Sequence, residues 1–473
     1  MKAAQARRSN WRCLVFCFKS VVSGGCPRES VLVLALLCSF VMVPFQVAQS
    51  KDAGEMACSP SAAGPTLQWV TILASPAQDF GLDIAADGSG AVYVVGESYA
   101  SWGSPSNPYS GDCDAFVAKL DRDGSVLWNT FLGSQARDVA QAVALDGAGS
   151  IYVVGRSQDS WGSPLVAYAG GEQDGFVAKL DRDGELQWHT FLGSADYDWL
   201  WDIVVDEKSS LYVLGESDGP WGNAEVGSVE ADAAFVAKLD RQGTLLWVEP
   251  FGKAIGLSMA SDNDGNLYVT GRSRVSWGSP IVDIAGDADA FVARLDENGA
   301  LQWNTFLGSS SFDSGFDIAV DADGNAYVAG RSHATWGTPI RDFAGDEDAF
   351  IAKVDPLGEL LWNSFVGSRF ADGGWGVATC PGSGAWVVGH SHDWELPEGH
   401  YGCNDAFLAL IDDTGTSLAH TFLGSRGEDY AYGVTSDPWG GVWTVGVTWS
   451  RSRSILGECD AFVARWSLSE ESP

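Results

Sequence analysis

The sequence predicts an all-β chain folded as a seven-bladed β-propeller of four-stranded blades, closed by an N-terminal strand that completes the C-terminal blade. Three observations carry that expectation. An Asp-Ala-Phe-like segment recurs seven times, each recurrence sits in a unit of four short apolar runs, and the two chain ends hold complementary parts of one unit.

The recurrences are Asp114/Phe116, Asp174/Phe176, Asp232/Phe235, Asp289/Phe291, Asp348/Phe350, Asp405/Phe407 and Asp460/Phe462, with Phe-to-Phe steps of 60, 59, 56, 59, 57 and 55 residues. Such a unit holds four strands of ordinary length with their connections. In one unit, residues 316–321 lead through an Asp-Gly turn to 325–330. A longer loop follows, then 348–355, a turn at Pro356-Leu357-Gly358, and 360–367. Short runs rich in Val, Ile, Phe, Trp and Tyr, bounded by Gly, Asp and Asn, read as strands and hairpins. Phe350, Ala352 and Val354 alternate with Ala349 and Ile351, so both strand faces are apolar or small. A blade covered by a neighbour on each side needs that pattern, and radial closure leaves only short edges.

The chain ends set the count. Residues 67–73 match a fourth strand, with Trp69 aligned to Trp128, Trp188, Trp247, Trp303 and Trp362, and residues 460–466 match a third. Six complete units and one shared unit make seven blades over residues 66–466, with a tail at 467–473.

The patterns at 321–330 (DADGNAYVAG) and 114–134 (DAFVAKLDRDGSVLWNTFLGS) resemble the bacterial seven-bladed β-propeller repeat (SBBP) family over nearly the whole region 66–466. Ser-Trp-Gly-Ser-Pro-like segments replace the family's usual loop motif. The resemblance implies an extracytoplasmic or surface propeller. It implies no biochemical activity, because a fold that hosts many functions cannot supply one.

The N-terminus agrees with export. Residues 31–45 form one apolar run behind a basic leader, shorter than the about 20 residues a spanning helix needs. Ala48-Gln49-Ser50 offers a small-residue cleavage site before Lys51, so residues 1–50 read as a signal peptide and 51–65 as a linker. An uncleaved anchor is the alternative. The whole chain carries −34, and beyond residue 50 there are 22 basic against 61 acidic residues, a charge of −39. Such a surface repels nucleic acid and anionic lipid, so no nucleic-acid partner and no membrane contact beyond the leader are expected. Export permits disulfides among Cys58, Cys113, Cys380, Cys403 and Cys459, an odd set. Cys113, Cys403 and Cys459 occupy equivalent positions, and a Cys113–Cys459 bridge would reinforce closure if the Cα atoms approach ~5.5 Å.

Residues present in every copy serve the blade, since one active site needs one copy. The recurring Asp is expected to receive backbone N–H groups where the long loop re-enters the sheet. Gly96, Gly155, Gly215, Gly271, Gly330, Gly389 and Gly446 end each second strand and read as close-packing or kink positions. Lys119, Lys179, Lys238, Arg294, Lys353 and Arg465 share one strand position and suit blade-to-blade ion pairs. The Asp-x-Asp-Gly segments at Asp121, Asp181, Asp262 and Asp321 resemble calcium loops, but the twelfth positions are Leu132, Leu192, Ser273 and Ser332. Without the bidentate acid they read as hairpin turns, with calcium the minor alternative.

Two features point to ligands. Trp102, Trp161, Trp221, Trp277, Trp336, Trp394 and Trp449 recur in the long loops of one face, where they either stack on a ligand or fold down over a blade end. His390, His392, His400 and Cys403 gather in unit six, although the chain has only six His. Imidazole and thiolate suit zinc or copper, but the spacing matches no structural zinc module. No nucleophile elbow or phosphate loop is present. The preferred function is therefore an exported, monomeric, non-enzymatic binding or scaffold module for an envelope or extracellular polysaccharide or protein. One alternative is a polysaccharide-acting enzyme in the central funnel, marked by unequal funnel residues and two carboxylates about 5–9.5 Å apart. The other is a quinone-binding propeller, from the Gly-x-x-x-Trp run ending at Trp128.

Overall fold

The computed structural model describes residues 64–468, apart from 207, 381–383, 393–403, 438 and 450–458. Residues 1–63, which include Cys58, lie outside the described residues, as do Trp394, His400 and Cys403.

Seven four-stranded antiparallel sheets form the described chain, with one two-stranded hairpin, Trp221–Asn223 and Gly227–Val229, in the long loop of the third. We label the strands of each blade a to d from the axis outward. Blade 1 comprises Asp79–Ala86, Val92–Ser98, Asp114–Leu120 and Val126–Leu132. The a strands of blades 2 to 6 are Asp138–Leu145, Asp198–Val205, Ala254–Ser261, Asp313–Val320 and Gly373–Cys380. Blade 7 takes a to c from Asp429–Ser436, Gly441–Thr448 and Asp460–Ser467, and its d strand is Thr66–Leu73. Every a strand touches the a strands of both neighbours, including blade 7 against blade 1, so the ring is closed.

Closure is made of ordinary blade chemistry. Thr66 to Leu73 run antiparallel to Ser467 to Ala461, and Gln68 donates to the Ser467 hydroxyl at 2.8 Å. The Asp79 amide donates to the Cys459 carbonyl at 2.9 Å, as the Asp138 amide does to Cys113 at 2.8 Å. Trp69 then reaches into blade 1, donating its indole N–H to the Arg122 carbonyl at 3.2 Å. Trp128, Trp188, Trp303 and Trp362 make the same bond to the next blade, at Arg182, Arg241, Pro356 and Asp413. The turn that receives Trp69 contains Gly124 at φ +82°, where a Cβ would meet the indole at 2.6 Å. This latch is also the place of the Gly-x-x-x-Trp run.

All seven a strands slip register at one position, leaving Leu82, Gln141, Trp201, Leu257, Phe316, Trp375 and Tyr432 as extra residues against strand b. The bulge brings the a-strand backbone onto the recurring glycine of strand b. A Cβ built on Gly96 would overlap the Phe80 carbonyl oxygen, and the other six glycines meet the same obstacle. Close packing is thus the reason for this glycine.

In six blades an Asp at the start of strand a ties the blade to the preceding turn; blade 4 has Ala254 there. Asp138 accepts the Ser134 amide at 2.7 Å and hydroxyl at 2.9 Å, and Asp313 does the same with Ser309. The Asp of Asp-Ala-Phe receives loop amides, Ser110 on Asp114 at 2.6 Å and Ala344 on Asp348 at 2.6 Å. The apolar core lies in the joints between blades. One cluster joins Val92, Val94, Phe116 and Ala118 of blade 1 to Trp443, Val445, Ala461 and Val463 of blade 7. Fully burying each Val or Phe side chain there contributes roughly 1.5–3 kcal/mol.

Two expectations need correction. The strand-c cations pair mainly within their own blade, because their register partner is the strand-b aromatic of the same sheet. Lys119 lies opposite Tyr93, 4.7 Å above its ring and 3.9 Å from Asp87. Lys353 also bonds Asp413 of the next blade. Cys113 and Cys459 are free, buried thiols, not a bridge. Each points the same way round the ring, toward the first carbonyl of the following blade, Asp138 at 3.9 Å and Asp79 at 3.8 Å. Equivalent residues one blade apart therefore do not face each other. Cys380 is disulfide-bonded.

Candidate functional site

Strand b ends in Gly-x-Ser in six blades and Gly-Val-Thr in the seventh. The glycine is fixed by the bulge, and in several blades the hydroxyl bonds the first Asp of strand a, as Ser98 bonds Asp79 and Ser332 bonds Asp313. The residue between them is free to vary, and it does: Glu97, Arg156, Glu216, Arg272, Arg331, His390 and Val447. These positions ring the axis at the end where the long loops emerge. The bulge residues lie next to them, since an added residue re-aims its side chain.

The mouth is unequal around its circumference. On blades 1 and 2, Arg137 forks onto Glu97 with N–O distances of 2.8 to 3.0 Å, and Cys113 donates to the same carboxylate at 3.3 Å. Burial, with the Glu97 charge beside it, drives the Cys113 thiol well above its ordinary pKa. Arg156 lies 4.5 Å over the Trp199 ring, which leans on Trp201 at 4.6 Å. Trp201 is only 5 % exposed, and the indole N–H groups of both tryptophans have no hydrogen-bond partner among the described residues.

On blades 4 and 5, Arg272 and Arg331 both lie against Phe312, at 5.7 and 5.8 Å from its centre. Arg331 is held by Glu347 at 2.8 Å, a carboxylate shared with His333 at 3.4 Å. Arg272 has no carboxylate within salt-bridge distance among the described residues. Burial first, and then the like charge of Arg331, lower its pKa to about 10 against the opposing pull of Glu216, so it remains cationic at neutral pH. An aromatic wall continues through blades 5 to 7, with Phe316 4.3 Å from Trp375 and Trp375 6.0 Å from Tyr432.

His390 belongs to this ring. Its Nδ1 accepts the Trp375 indole N–H at 2.8 Å, and its ring lies 4.7 Å from Tyr430. Burial and the Arg331 charge lower its pKa to about 3, so it is a neutral imidazole. His392 packs on Phe370 at 4.3 Å. The structure therefore places the two histidines in different surroundings, and His400 and Cys403 lie outside the described residues. Among the described residues no three His, Cys, Asp or Glu stand together to hold a metal ion. The turn aspartates serve their own turns, Asp121 accepting the Asp123 and Ser125 amides at 3.0 and 2.9 Å.

Below the mouth, Asp83, Asp202 and Asp317 line the channel on alternate blades. Each accepts an amide of the next blade, from Val143 at 2.8 Å, Met259 at 2.6 Å and Val377 at 2.7 Å. Ser258 bridges Asp202 and Asp317 at 3.0 and 2.7 Å. Burial, reinforced by the neighbouring carboxylates, raises Asp202 to about 8 and Asp317 to about 6. Such bonds make them clasps between blades.

The loop tryptophans fold down over the blade ends. Trp102, Trp161 and Trp336 are 7 to 8 % exposed. Trp102 meets Phe116 edge-on at 5.4 Å, and Trp161, Trp221, Trp277 and Trp336 meet Phe176, Phe235, Phe291 and Phe350 in the same way. Trp449 lies apart from these, 6.1 Å from Phe80 at the mouth. Trp394 lies outside the described residues. The mouth arginines escaped the sequence reading, although the variable position in a constant Gly-x-Ser frame was a signal that could have found them.

The geometry defines a seven-bladed β-propeller with an arginine-rich, aromatic axial mouth. The solved WD40 domain of Neurospora crassa Pan2 shares the fold, with 11 % identity, a TM-score of 0.50 and coverage of 85 % of this chain and 96 % of that one. No family model matches the chain. The regulatory protein FlaEY of Caulobacter vibrioides is 26 % identical over 328 residues, 61 % of this chain and 33 % of its own length. An uncharacterized WD repeat-containing protein of Acanthamoeba polyphaga mimivirus is 20 % identical over 371 residues, 59 % of this chain and 26 % of its own length. The aligned region thus spans about a third and a quarter of these curated relatives.

Proposed function

We propose that this chain is an exported or cell-surface propeller of the SBBP type that works as a non-enzymatic binding or scaffold module, with its ligand seated at the axial mouth. One observation carries the reading. In a frame that repeats glycine and hydroxyl seven times, the residue between them changes from blade to blade. A blade needs only the frame, so variation toward Arg, Glu and His at the axis fits recognition. The same inequality is what the enzyme alternative requires, and turnover of captured material separates the two. The apolar leader at 31–45 supports export, and an envelope or extracellular polysaccharide or protein is the expected partner. A regulatory protein among the relatives is consistent with action by binding.

The test is capture. Immobilised full-length protein is offered an extract of the source cells' envelope and culture medium, beside an Arg272→Gln/Arg331→Gln variant of matched melting temperature. Saturable capture by the wild type that the variant loses supports the reading. Capture undiminished in the variant, or turnover of the captured material, contradicts it.

A further inference from the structure

The mouth gathers donors and cations that the described residues do not satisfy. Arg272 is half-buried against Phe312 with a second guanidinium nearby, and Glu216 acts on it without a salt bridge. The Arg331 Nε has no partner, and neither do the indole N–H groups of Trp199 and Trp201. A half-buried cation without a salt bridge is poorly compensated, and here two like charges share one ring. This occurs in a chain whose overall charge is −34. Carboxylates are abundant in the sequence, yet none pairs Arg272 among the described residues. The arrangement costs stability and suits an anion arriving from outside.

The surroundings narrow the kind of anion. An extended peptide is commonly held by main-chain hydrogen bonds to a free edge. At six of the seven blade junctions the first amide of the inner strand is already paired with the preceding blade, through Asp79 to Cys459, Asp138 to Cys113, Asp198 to Gln173, Asp313 to Ala288, Asp372 to Glu347 and Asp429 to Asn404. What remains available is guanidinium, indole N–H and the flat apolar faces of Phe316, Trp375 and Tyr432, all partly exposed. A planar carboxylate matches a guanidinium fork, and a sugar ring offers C–H faces to aromatic rings and hydroxyls to indole donors.

We infer that the axial mouth recognises a uronate-type acidic sugar, its carboxylate on Arg272 and Arg331 and its ring against the aromatic wall of blades 5 to 7. The inference rests on the mouth being the binding surface, and it names the ligand class there.

Isothermal titration of the full-length protein with trigalacturonate, and separately with maltotriose and with inorganic sulfate, tests it. The expected result is saturable binding of trigalacturonate, at least about tenfold tighter than maltotriose or sulfate, the discrimination one charge-assisted contact supplies. Arg272→Gln should weaken it about tenfold or more at unchanged melting temperature. Arg241→Gln, at an exposed outer turn, should leave it intact. Maltotriose binding as tight as trigalacturonate, sulfate binding as tight (a bare anion site), or weakening by Arg241→Gln equal to that by Arg272→Gln would each overturn the inference. If no acidic sugar binds while the mouth variant still abolishes capture from extract, the ligand class is wrong and the binding surface stands. If the mouth variant also leaves capture intact, both fall.

Discussion

Arg272 and Arg331, on neighbouring blades, press their guanidinium groups against one ring, Phe312, at 5.7 and 5.8 Å. Two cations share that ring, and Glu347 neutralises only Arg331. Arg272 is half-buried, forms no salt bridge and feels Glu216 only through space, so an apolar side chain of similar length loses little charge stabilisation there. Arg272→Met should therefore raise the unfolding midpoint or leave it unchanged while ligand capture is lost. Thermal unfolding and capture measured on one preparation check both halves, and a fall of several degrees would show that Arg272 serves the fold.

The strand-b glycine makes a sharper structural prediction. Gly96→Ala drives a Cβ into the Phe80 carbonyl, which the bulge holds in place. The backbone must shift, and the cost should exceed about 3 kcal/mol, in the range of the severe single substitutions. Gly147→Ala, where a Cβ meets nothing within 4 Å, should stay within about 0.5 kcal/mol. Urea unfolding of both variants checks the contrast.

Ring closure depends on Trp69, whose indole N–H reaches Arg122 and whose ring lies 5.1 Å from Trp443. Trp69→Phe keeps most of the packing and should cost about 1 kcal/mol for the hydrogen bond. Trp69→Ala should cost about 3 kcal/mol or more, because the latch and the packing are lost together. Urea midpoints of the two variants separate the contributions.

The channel carboxylates give stability a pH dependence with a definite sign. The Asp202 pKa in the folded chain is raised to about 8, against about 3.9 for a free carboxyl. A raised folded-state pKa means that the native state holds the proton more tightly. The associated stability is complete below about pH 4 and is lost as pH climbs through about 8. Asp202→Asn still offers an oxygen to the Met259 amide and cannot ionise. Its stability should fall less than the wild type's between pH 5 and pH 9, and at pH 9 it should be the more stable protein. Parallel urea midpoints across that range would contradict the assignment.

The fold was legible because one pattern was written seven times. Alternating apolar faces such as Phe350 and Ile351 gave the strands, and Trp69 aligned with Trp128 gave the shared blade. Slippage in strand a was not legible, since one extra residue such as Trp201 leaves a local pattern that still reads as a strand. The mouth was hidden for a related reason. Arg272 and Arg331 meet only because the ring carries residues one full repeat apart to one axis. The loop tryptophans showed the opposite limit. Their recurrence was plain, but whether Trp336 faces a ligand or Phe350 depends on which way a loop folds.

The central claim is that ligand binds at the axis. Amide hydrogen exchange of the full-length protein, with and without saturating captured ligand, tests it most directly. The account predicts new protection at the loop-side ends of the b strands, around Arg156, Arg272, Arg331 and His390, with the outer d strands unchanged. Protection confined to the d strands or to the rim loops around Leu165 and Ile281 would contradict it.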